Sequence, residues 1–202
     1  MRLSDLLQRD NNNLDIFRLI AAALVIYGHA YAIAPQEGHS DVLVHLLGYD
    51  YSGSLAVKLF FFLSGLVVTN SLLHKRDVAQ FVIARFFRIW PALLVVTALC
   101  ALVLGPLVTA LPLADYWSDP QTWRYVTGNL RLSPQYALPG VFAGNPHAHA
   151  VNGSLWTIVL EVGAYLALLA LFMVGALRSR WLALGIVLLV LLDPLVGHRL
   201  PF

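Results

Sequence analysis

The chain has 202 residues, of which 59% are hydrophobic and 12% are charged, and its net charge is +2. The apolar share is well above that of ordinary soluble domains and the charged share is well below it, which argues against a soluble globular protein. A small net charge without a Lys/Arg-rich run gives no basis for nucleic-acid binding. The lone Cys100 lies in an apolar stretch and implies neither a disulfide framework nor a metal site.

Five stretches approach the length of about 20 mainly apolar residues that a membrane-spanning helix needs. They are residues 14–34, 52–73, 82–110, 154–177 and 181–197. The predicted fold is therefore all-α, a polytopic membrane helix bundle that forms a single domain over residues 1–202. No small-residue cleavage site follows the N-terminal segment, so a removable signal peptide is not expected.

The basic residues are distributed unevenly among the segments between these stretches. Nine of the 13 Lys and Arg residues lie in the N-terminal segment, in the 74–88 region or at 178–180. Because cytoplasmic loops carry the excess of Lys and Arg, the N-terminus and the 74–88 loop are predicted to be cytoplasmic. The proline-rich segment 111–153 is then an external loop, with one short amphipathic helix near residues 123–130 lying over the bundle.

The first stretch contains Arg18 and His29, which are 11 residues apart and therefore project from the same helix face, about 16 Å apart along the axis. A charged residue in a membrane helix costs about 2.5–3.5 kcal/mol, so such residues are expected to face protein or water. Alternatively, Arg18 reaches lipid phosphates and His29 bonds to a neighbouring helix. Asp15 is expected to cap the helix start or to pair with Arg18.

Polar residues also interrupt the second and third stretches. The Ser64-Gly65 pair indicates either close packing of another backbone or part of a site, and Lys58 either snorkels to the outer surface or serves as a fixed cation. Arg85 and Arg88 open the third stretch on one helix face. Their planar guanidinium groups suit phosphate, from lipid headgroups or from a phosphorylated cytoplasmic cosubstrate.

The fourth stretch places Ser154 and Glu161 on one face, with the Glu161 carboxyl roughly 10–13 Å below the outer surface. Glu161 either pairs with a cation or belongs to a site. Depth counted from the stretch ends separates two levels, the outer one with His29, Lys58 and Glu161 and the cytoplasmic one with Arg18, Arg85 and Arg88. The sequence thus predicts an anion-binding inner end and an acid-base outer part.

Four motifs stand at the start or inside of these stretches. They are Leu14-Asp15 with Arg18 and, after ten residues, His29; Phe60-Phe-Phe-Leu-Ser64-Gly65; Arg85-Phe-Phe-Arg88-Ile-Trp-Pro91; and Ser154-Leu-Trp156-Thr157 with Glu161. In this order they resemble the integral-membrane acyltransferase family 3, whose members acylate cell-surface sugars and related acceptors in bacteria. The resemblance covers residues 12 to about 165.

This resemblance implies a cytoplasmic acyl-coenzyme A cosubstrate, usually acetyl, and an acceptor hydroxyl on a cell-surface or lipid-linked glycan, in a protein integral to the inner membrane and surrounded by its lipid. His29 would be the catalytic base or the acyl-relay residue. The residues assigned to catalysis are His29, Glu161 and Ser64, those assigned to the donor's phosphates are Arg18, Arg85 and Arg88, and those assigned to substrate contact are Trp156, Ser154 and Lys58. No permanently bound cofactor is expected. No metal is expected either, because His147 and His149 lack a third ligand at a suitable spacing.

Two departures from the family pattern matter. Its members usually carry about ten helices over more than three hundred residues, so this chain is expected to be the motif-bearing half, truncated at its C-terminus. Lys58 stands where the family pattern leads us to expect a neutral or acidic residue. A proton-coupled transporter is an alternative, because intramembrane His, Lys and Glu also suit a proton relay. An inactive membrane remnant that pairs with another chain is a further alternative.

Overall fold

The computed structural model describes residues 14–34, 40–48, 51–145 and 150–175, and within these ranges the secondary structure is helical, without strands. Four of the described helical segments are long and apolar enough to cross a membrane: Leu14–Tyr31, Ser52–Lys75, Val78–Val108 and Gly153–Met173. They confirm the all-α membrane fold and correspond to the first four predicted stretches. The fifth, 181–197, lies outside the described residues.

The chain divides into two compact units, which we name the N-terminal unit (Met1–Lys75 with Ala167–Phe202) and the central unit (Arg76–Leu166). In the N-terminal unit, α1 (Leu14–Ile33), the short α2 (Val42–Leu47) and α3 (Ser52–Lys75) follow in order. The longer two pack against each other, with the small side chains of Ala21 and Ala56 fully buried. Large apolar side chains such as Leu19 and Ile26 are exposed on α1, as expected for a helix that faces lipid.

The central unit is built around one long helical segment. Its elements are α4 (Val78–Leu99), a π-helical turn (Cys100–Leu104), α5 (Gly105–Val108), α6 (Leu113–Ser118), α7 (Pro120–Leu130), a 3-10 turn (Gly153–Leu155) and the first part of α8 (Trp156–Met173). Asp77 caps α4 by accepting a 2.9 Å hydrogen bond from the Gln80 amide. Asp119 caps α7 in the same way, directly before Pro120 at the first helical position.

The π-helical turn joins α4 to the polar segment that follows it. The buried Tyr116 hydroxyl donates a 2.7 Å hydrogen bond to the Ala101 carbonyl inside this turn. Gly105 leaves the space for it, since a Cβ there would overlap the Tyr116 hydroxyl. Burial raises the pKa of Tyr116, so the phenol stays protonated and keeps donating.

The segment predicted as an external loop with one helix near 123–130 contains two helices instead. The longer of them, α7, starts at Pro120 and packs against α4, where Trp90 Nε1 donates to the Leu130 carbonyl at 3.1 Å. The shorter, α6, is held to the π-helical turn by the bond from Tyr116 to Ala101. Trp90 and Ala101 are about 16 Å apart along the helix axis. Beyond α7 the chain turns back around the buried Asn129 side chain, which bonds to both the amide and the carbonyl of Gln135.

Candidate functional site

His29 lies near the end of α1, with its half-buried imidazole held on two sides. Its Nδ1 is 2.9 Å from the Val25 carbonyl oxygen, one turn earlier. Because a carbonyl only accepts, Nδ1 is the donor in this contact, and Nε2 is the ring nitrogen that the contact leaves unoccupied. The Tyr51 ring packs edge-on against the imidazole, with 6.0 Å between the ring centroids. These two contacts fix the orientation of the imidazole.

Two glycines bring α1 and α3 together beside this imidazole. A Cβ at Gly28 would overlap the Gly53 backbone nitrogen, and a Cβ at Gly53 would lie 2.9 Å from His29 Nδ1 and 2.6 Å from the Tyr51 ring. A side chain at Gly53 would therefore push His29 or Tyr51 out of place. The sequence analysis missed both glycines, although a glycine directly before His29 was a signal of close approach.

Asp41 is buried, with 3% of its surface exposed, and it holds the first residue of α3. Its carboxylate accepts hydrogen bonds from the Leu43 amide at 2.8 Å and from the Ser52 amide and hydroxyl at 2.7 Å each. Burial raises the pKa of the Asp41 carboxyl, but these hydrogen bonds outweigh it and hold the pKa below its usual value. Asp41 was also missed, although an aspartate before a short apolar run is a capping signal.

The predicted pairing at the start of α1 is present. Arg18 Nη1 lies 3.0 Å from Asp15 Oδ1. Arg18 and His29 belong to the same unbroken helix, so the predicted separation of about 16 Å along one face applies. The structure therefore does not bring the Arg18 guanidinium to the imidazole.

Ser64 lies apart from His29 on α3. Ser64 is 11 residues beyond Gly53, about 16 Å along the helix. A Cβ built on the adjacent Gly65 meets no described atom within 4 Å, so no close approach of another backbone is seen at this pair among the described residues. Lys58 is exposed.

In the central unit, charged and aromatic side chains of α4 and α8 form what we call the Arg-Glu cluster, made of Phe81, Arg85, Arg88, Glu161 and Tyr165. Arg88 Nε lies 3.8 Å from Glu161 Oε1, which also accepts a short hydrogen bond from the Tyr165 hydroxyl. The Arg85 guanidinium sits over the Phe81 and Tyr165 rings, 5.9 and 5.5 Å from their centroids. Its buried Nε has no hydrogen-bond partner among the described residues.

This cluster corrects the predicted separation of charges into two levels. The sequence analysis put Arg85 and Arg88 at the cytoplasmic surface and Glu161 in the outer half, yet Arg88 and Glu161 are neighbours. The reason is the start of α4, which begins at Val78 and not at residue 82. Arg88 is therefore about 15 Å along that helix. Tyr165 was missed too, although it lies one turn after Glu161 on the same face.

A cavity of about 350 Å³ opens next to Arg88 and Glu161 within the central unit. Its lining residues are Arg88, Ile89, Ala92, Leu93, Val96, Asn152, Ser154, Leu155, Thr157, Ile158 and Glu161. Ser154 and Glu161 both line it, and Asn152 Oδ1 accepts a 2.6 Å bond from the Ser154 hydroxyl. Trp156 is half-buried and is not part of this lining. The cavity thus combines apolar walls with hydroxyl groups and one ion pair.

Among the described residues, no group of three or more His, Cys, Asp or Glu side chains is placed to hold a metal ion. His147 and His149 lie outside the described residues.

Comparison with known proteins agrees with the motifs. The chain is 30% identical to an O-acetyl transferase of Shigella phage Sf6 over 77% of its own length and 44% of that protein, and 32% identical to nodulation protein 10 of Rhizobium leguminosarum bv. viciae over 78% and 43%. It is 29% identical to the acyltransferase MdmB of Streptomyces mycarofaciens over 89% and 45%. The chain spans less than half the length of these relatives, and no solved structure matches it. The family model described as an acyltransferase domain matches residues 11–199, so the chain belongs to the acyltransferase family 3.

Proposed function

We propose that this membrane protein takes part in O-acyl transfer, moving an acyl group, acetyl in the simplest case, from cytoplasmic acyl-coenzyme A to a hydroxyl of a glycan acceptor. The names of two relatives, an O-acetyl transferase and an acyltransferase, support the reaction type. The observation that carries the proposal is the His29 imidazole, whose Nδ1 donates to the Val25 carbonyl, so that Nε2 is the nitrogen left to act on a substrate.

Nε2 of His29 has two possible uses in this reaction. As a base it takes the proton of the acceptor hydroxyl while that oxygen attacks the thioester carbonyl carbon. The new C–O bond forms, the C–S bond breaks, and the departing thiolate receives the proton from the imidazolium. As a relay, Nε2 attacks the thioester carbonyl carbon, the C–S bond breaks, and coenzyme A departs as the thiolate. The acceptor hydroxyl oxygen then attacks the acyl carbon, the N–C bond to the ring breaks, and the hydroxyl proton passes to the thiolate. Both routes need the same lone pair.

The two arginines of α4 are assigned to the phosphates of the donor. The Arg88 side chain is 55% exposed and its contact with Glu161 is long, while Arg85 Nε has no hydrogen-bond partner among the described residues. Phosphate oxygens would supply the missing acceptors in charge-assisted hydrogen bonds. Glu161 is then the counter-ion that neutralises Arg88 within the span until an anionic donor displaces it. Arg18, paired with Asp15, is a third candidate for the donor.

The proposed orientation in the membrane follows from the excess of basic residues on one side of the predicted spans. A cytoplasmic N-terminus in the inner membrane would let the donor approach from the cytoplasm and the acceptor from outside. The cavity beside Arg88 has apolar walls and the hydroxyl groups of Ser154 and Thr157, which suit the uncharged arm of the donor. In this proposal Ser64, Trp156 and Lys58 stay secondary contacts.

The test is to replace His29 by glutamine in the full chain, reconstituted in liposomes with labelled acetyl-coenzyme A and a membrane glycan fraction. Loss of label transfer at unchanged protein level is expected. The matched control is His74→Gln, since the exposed His74 makes the same type of bond, from Nδ1 to the Asn70 carbonyl at 3.0 Å. Transfer by the His29→Gln variant at the control's rate would disprove the proposal. Acid quenching and mass spectrometry of His29 would distinguish the relay from the base.

A further inference from the structure

We propose that Asp41 is a positioning residue for His29: its buried carboxylate fixes the first turn of α3, and that turn forms the wall against which the imidazole is held. This inference rests on the proposed role of His29 in acyl transfer. It concerns a residue outside all four motifs, in the segment between α1 and α3.

The Asp41 carboxylate bonds to the starts of two different helices. Capping α2 requires only the bond from the Leu43 amide to Oδ1. The other two bonds come from Ser52, which is 11 residues further along the chain and only 1% exposed. With its amide and its hydroxyl both bound to Asp41, Ser52 has little freedom to shift. One carboxylate thus joins the start of α2 to the start of α3.

The second step leads from Ser52 to the imidazole. Tyr51 and Gly53, the two chain neighbours of Ser52, both lie against His29. The Tyr51 ring meets the imidazole edge-on, and the backbone of Gly53 lies so close that an added Cβ would be 2.9 Å from Nδ1. A shift of Ser52 would therefore move the two contacts that α3 and its preceding residue make with His29, while the Val25 bond within α1 would remain.

The third step concerns charge. Two backbone amides and one hydroxyl all donate to Asp41, so the carboxylate must act as an acceptor at both oxygens. An asparagine has nearly the same shape but replaces one oxygen by an amino group, which would face a donor. The Asp41→Asn variant therefore breaks part of the arrangement without leaving a cavity, and Asp41→Ala breaks all of it.

The experiment measures acyl transfer in the reconstituted full chain for Asp41→Asn, Asp41→Ala and Ser52→Ala. We expect kcat to fall by roughly 10-fold for Asp41→Asn and roughly 100-fold for Asp41→Ala, because a misplacement of about 1 Å can reduce a rate by 10²-fold. Ser52→Ala keeps the amide bond and should cost only a few-fold. KM for acetyl-coenzyme A should stay unchanged. The matched control is Asp77→Asn, which removes a capping carboxylate of the central unit.

A second measurement separates positioning from loss of folding. Diethyl pyrocarbonate modification of His29, followed by mass spectrometry and referred to His74 in the same molecule, reports how the imidazole is held. The Asp41 variants should change this ratio at least 3-fold in protein that remains folded by thermal scan, whereas Asp77→Asn should not. An unchanged ratio and unchanged kcat per folded molecule would overturn the inference. Failure of the proposed function would instead appear as full activity of His29→Gln.

Discussion

The N-terminal unit and the central unit hold their intramembrane polar groups in opposite ways. Around His29, the contacts are made to a backbone carbonyl and to a neighbouring ring, and a Cβ at Gly28 or Gly53 would overlap its neighbours. In the Arg-Glu cluster, Tyr165 bonds to Glu161, but the two cations are held less firmly: the Arg88–Glu161 distance is 3.8 Å, and Arg85 Nε lacks a partner among the described residues. The first arrangement suits a group that must stay in place during a reaction, and the second suits groups that exchange partners when a ligand binds.

The largest expected effect comes from a substitution that disturbs the close packing around His29 in the N-terminal unit. Replacing Gly53 by alanine puts a Cβ 2.6 Å from the Tyr51 ring and 2.9 Å from His29 Nδ1, so the imidazole or the ring that packs against it is displaced. We expect acyl transfer to fall by about 10²-fold or more. The rate of transfer to glycan, normalised to folded protein, is the measurement.

The control for this substitution is Gly163→Ala, because a Cβ at Gly163 in α8 meets no described atom within 4 Å. This variant should retain activity. Equal activity of the two alanine variants would show that the close approach at Gly53 does not position His29.

A smaller effect is expected from a substitution in the Arg-Glu cluster of the central unit. Arg88→Ala should raise KM for acetyl-coenzyme A by roughly 10- to 100-fold and leave kcat nearly unchanged, because a hydrogen bond to a charged group contributes about 1.5–3 kcal/mol. Arg88→Lys should recover only part of the loss, since lysine lacks the planar pair of donors. Steady-state kinetics against donor concentration provide the measurement.

Arg124→Ala is the matched control, since Arg124 is exposed on α7 and outside the Arg-Glu cluster. An Arg88→Ala variant that loses kcat at constant KM would remove Arg88 from the proposed donor site.

The smallest expected effect concerns the counter-ion. Glu161→Gln removes the carboxylate that competes with phosphate for Arg88, so coenzyme A should bind about 2- to 5-fold more tightly, in keeping with the 0.2–1 kcal/mol typical of exposed ion pairs. Equilibrium binding of coenzyme A to the reconstituted chain measures this directly, whatever happens to turnover.

Gln121→Glu is the control for a change of one charge at an exposed position of α7 in the same unit. It should leave the binding of coenzyme A unchanged. Weaker binding by Glu161→Gln would mean that the carboxylate helps to hold the donor and does not compete with it.

Features confined to one helix were predictable from the sequence. Four spans follow from apolar length, and the Asp15–Arg18 pair follows from a period of about 3.6 residues. These depend on spacing along a single axis, which the sequence contains directly.

Contacts between helices were not predictable in the same way. The proximity of Arg88 to Glu161 depends on the register of α4 against α8, and an error of four residues in the start of α4 shifts the expected depth by about 6 Å. The Asp41–Ser52 bonds depend on how the chain returns after α2, and the Gly28–Gly53 approach depends on the crossing point of α1 and α3. Hydropathy and spacing say nothing about these positions.

The π-helical turn at Cys100–Leu104 has a consequence for how this chain tolerates changes in length. Such a turn holds one residue more than an α-helical turn, so every residue beyond it is rotated by about 100° relative to a regular helix. Gly105, the first residue after the turn, faces Tyr116. Losing one residue between 100 and 104 would restore a regular helix, shorten the membrane span by one step, and turn a bulkier neighbour toward the Tyr116 hydroxyl. The polar segment after α5 would then lose its anchor while the apolar character of the span stayed intact.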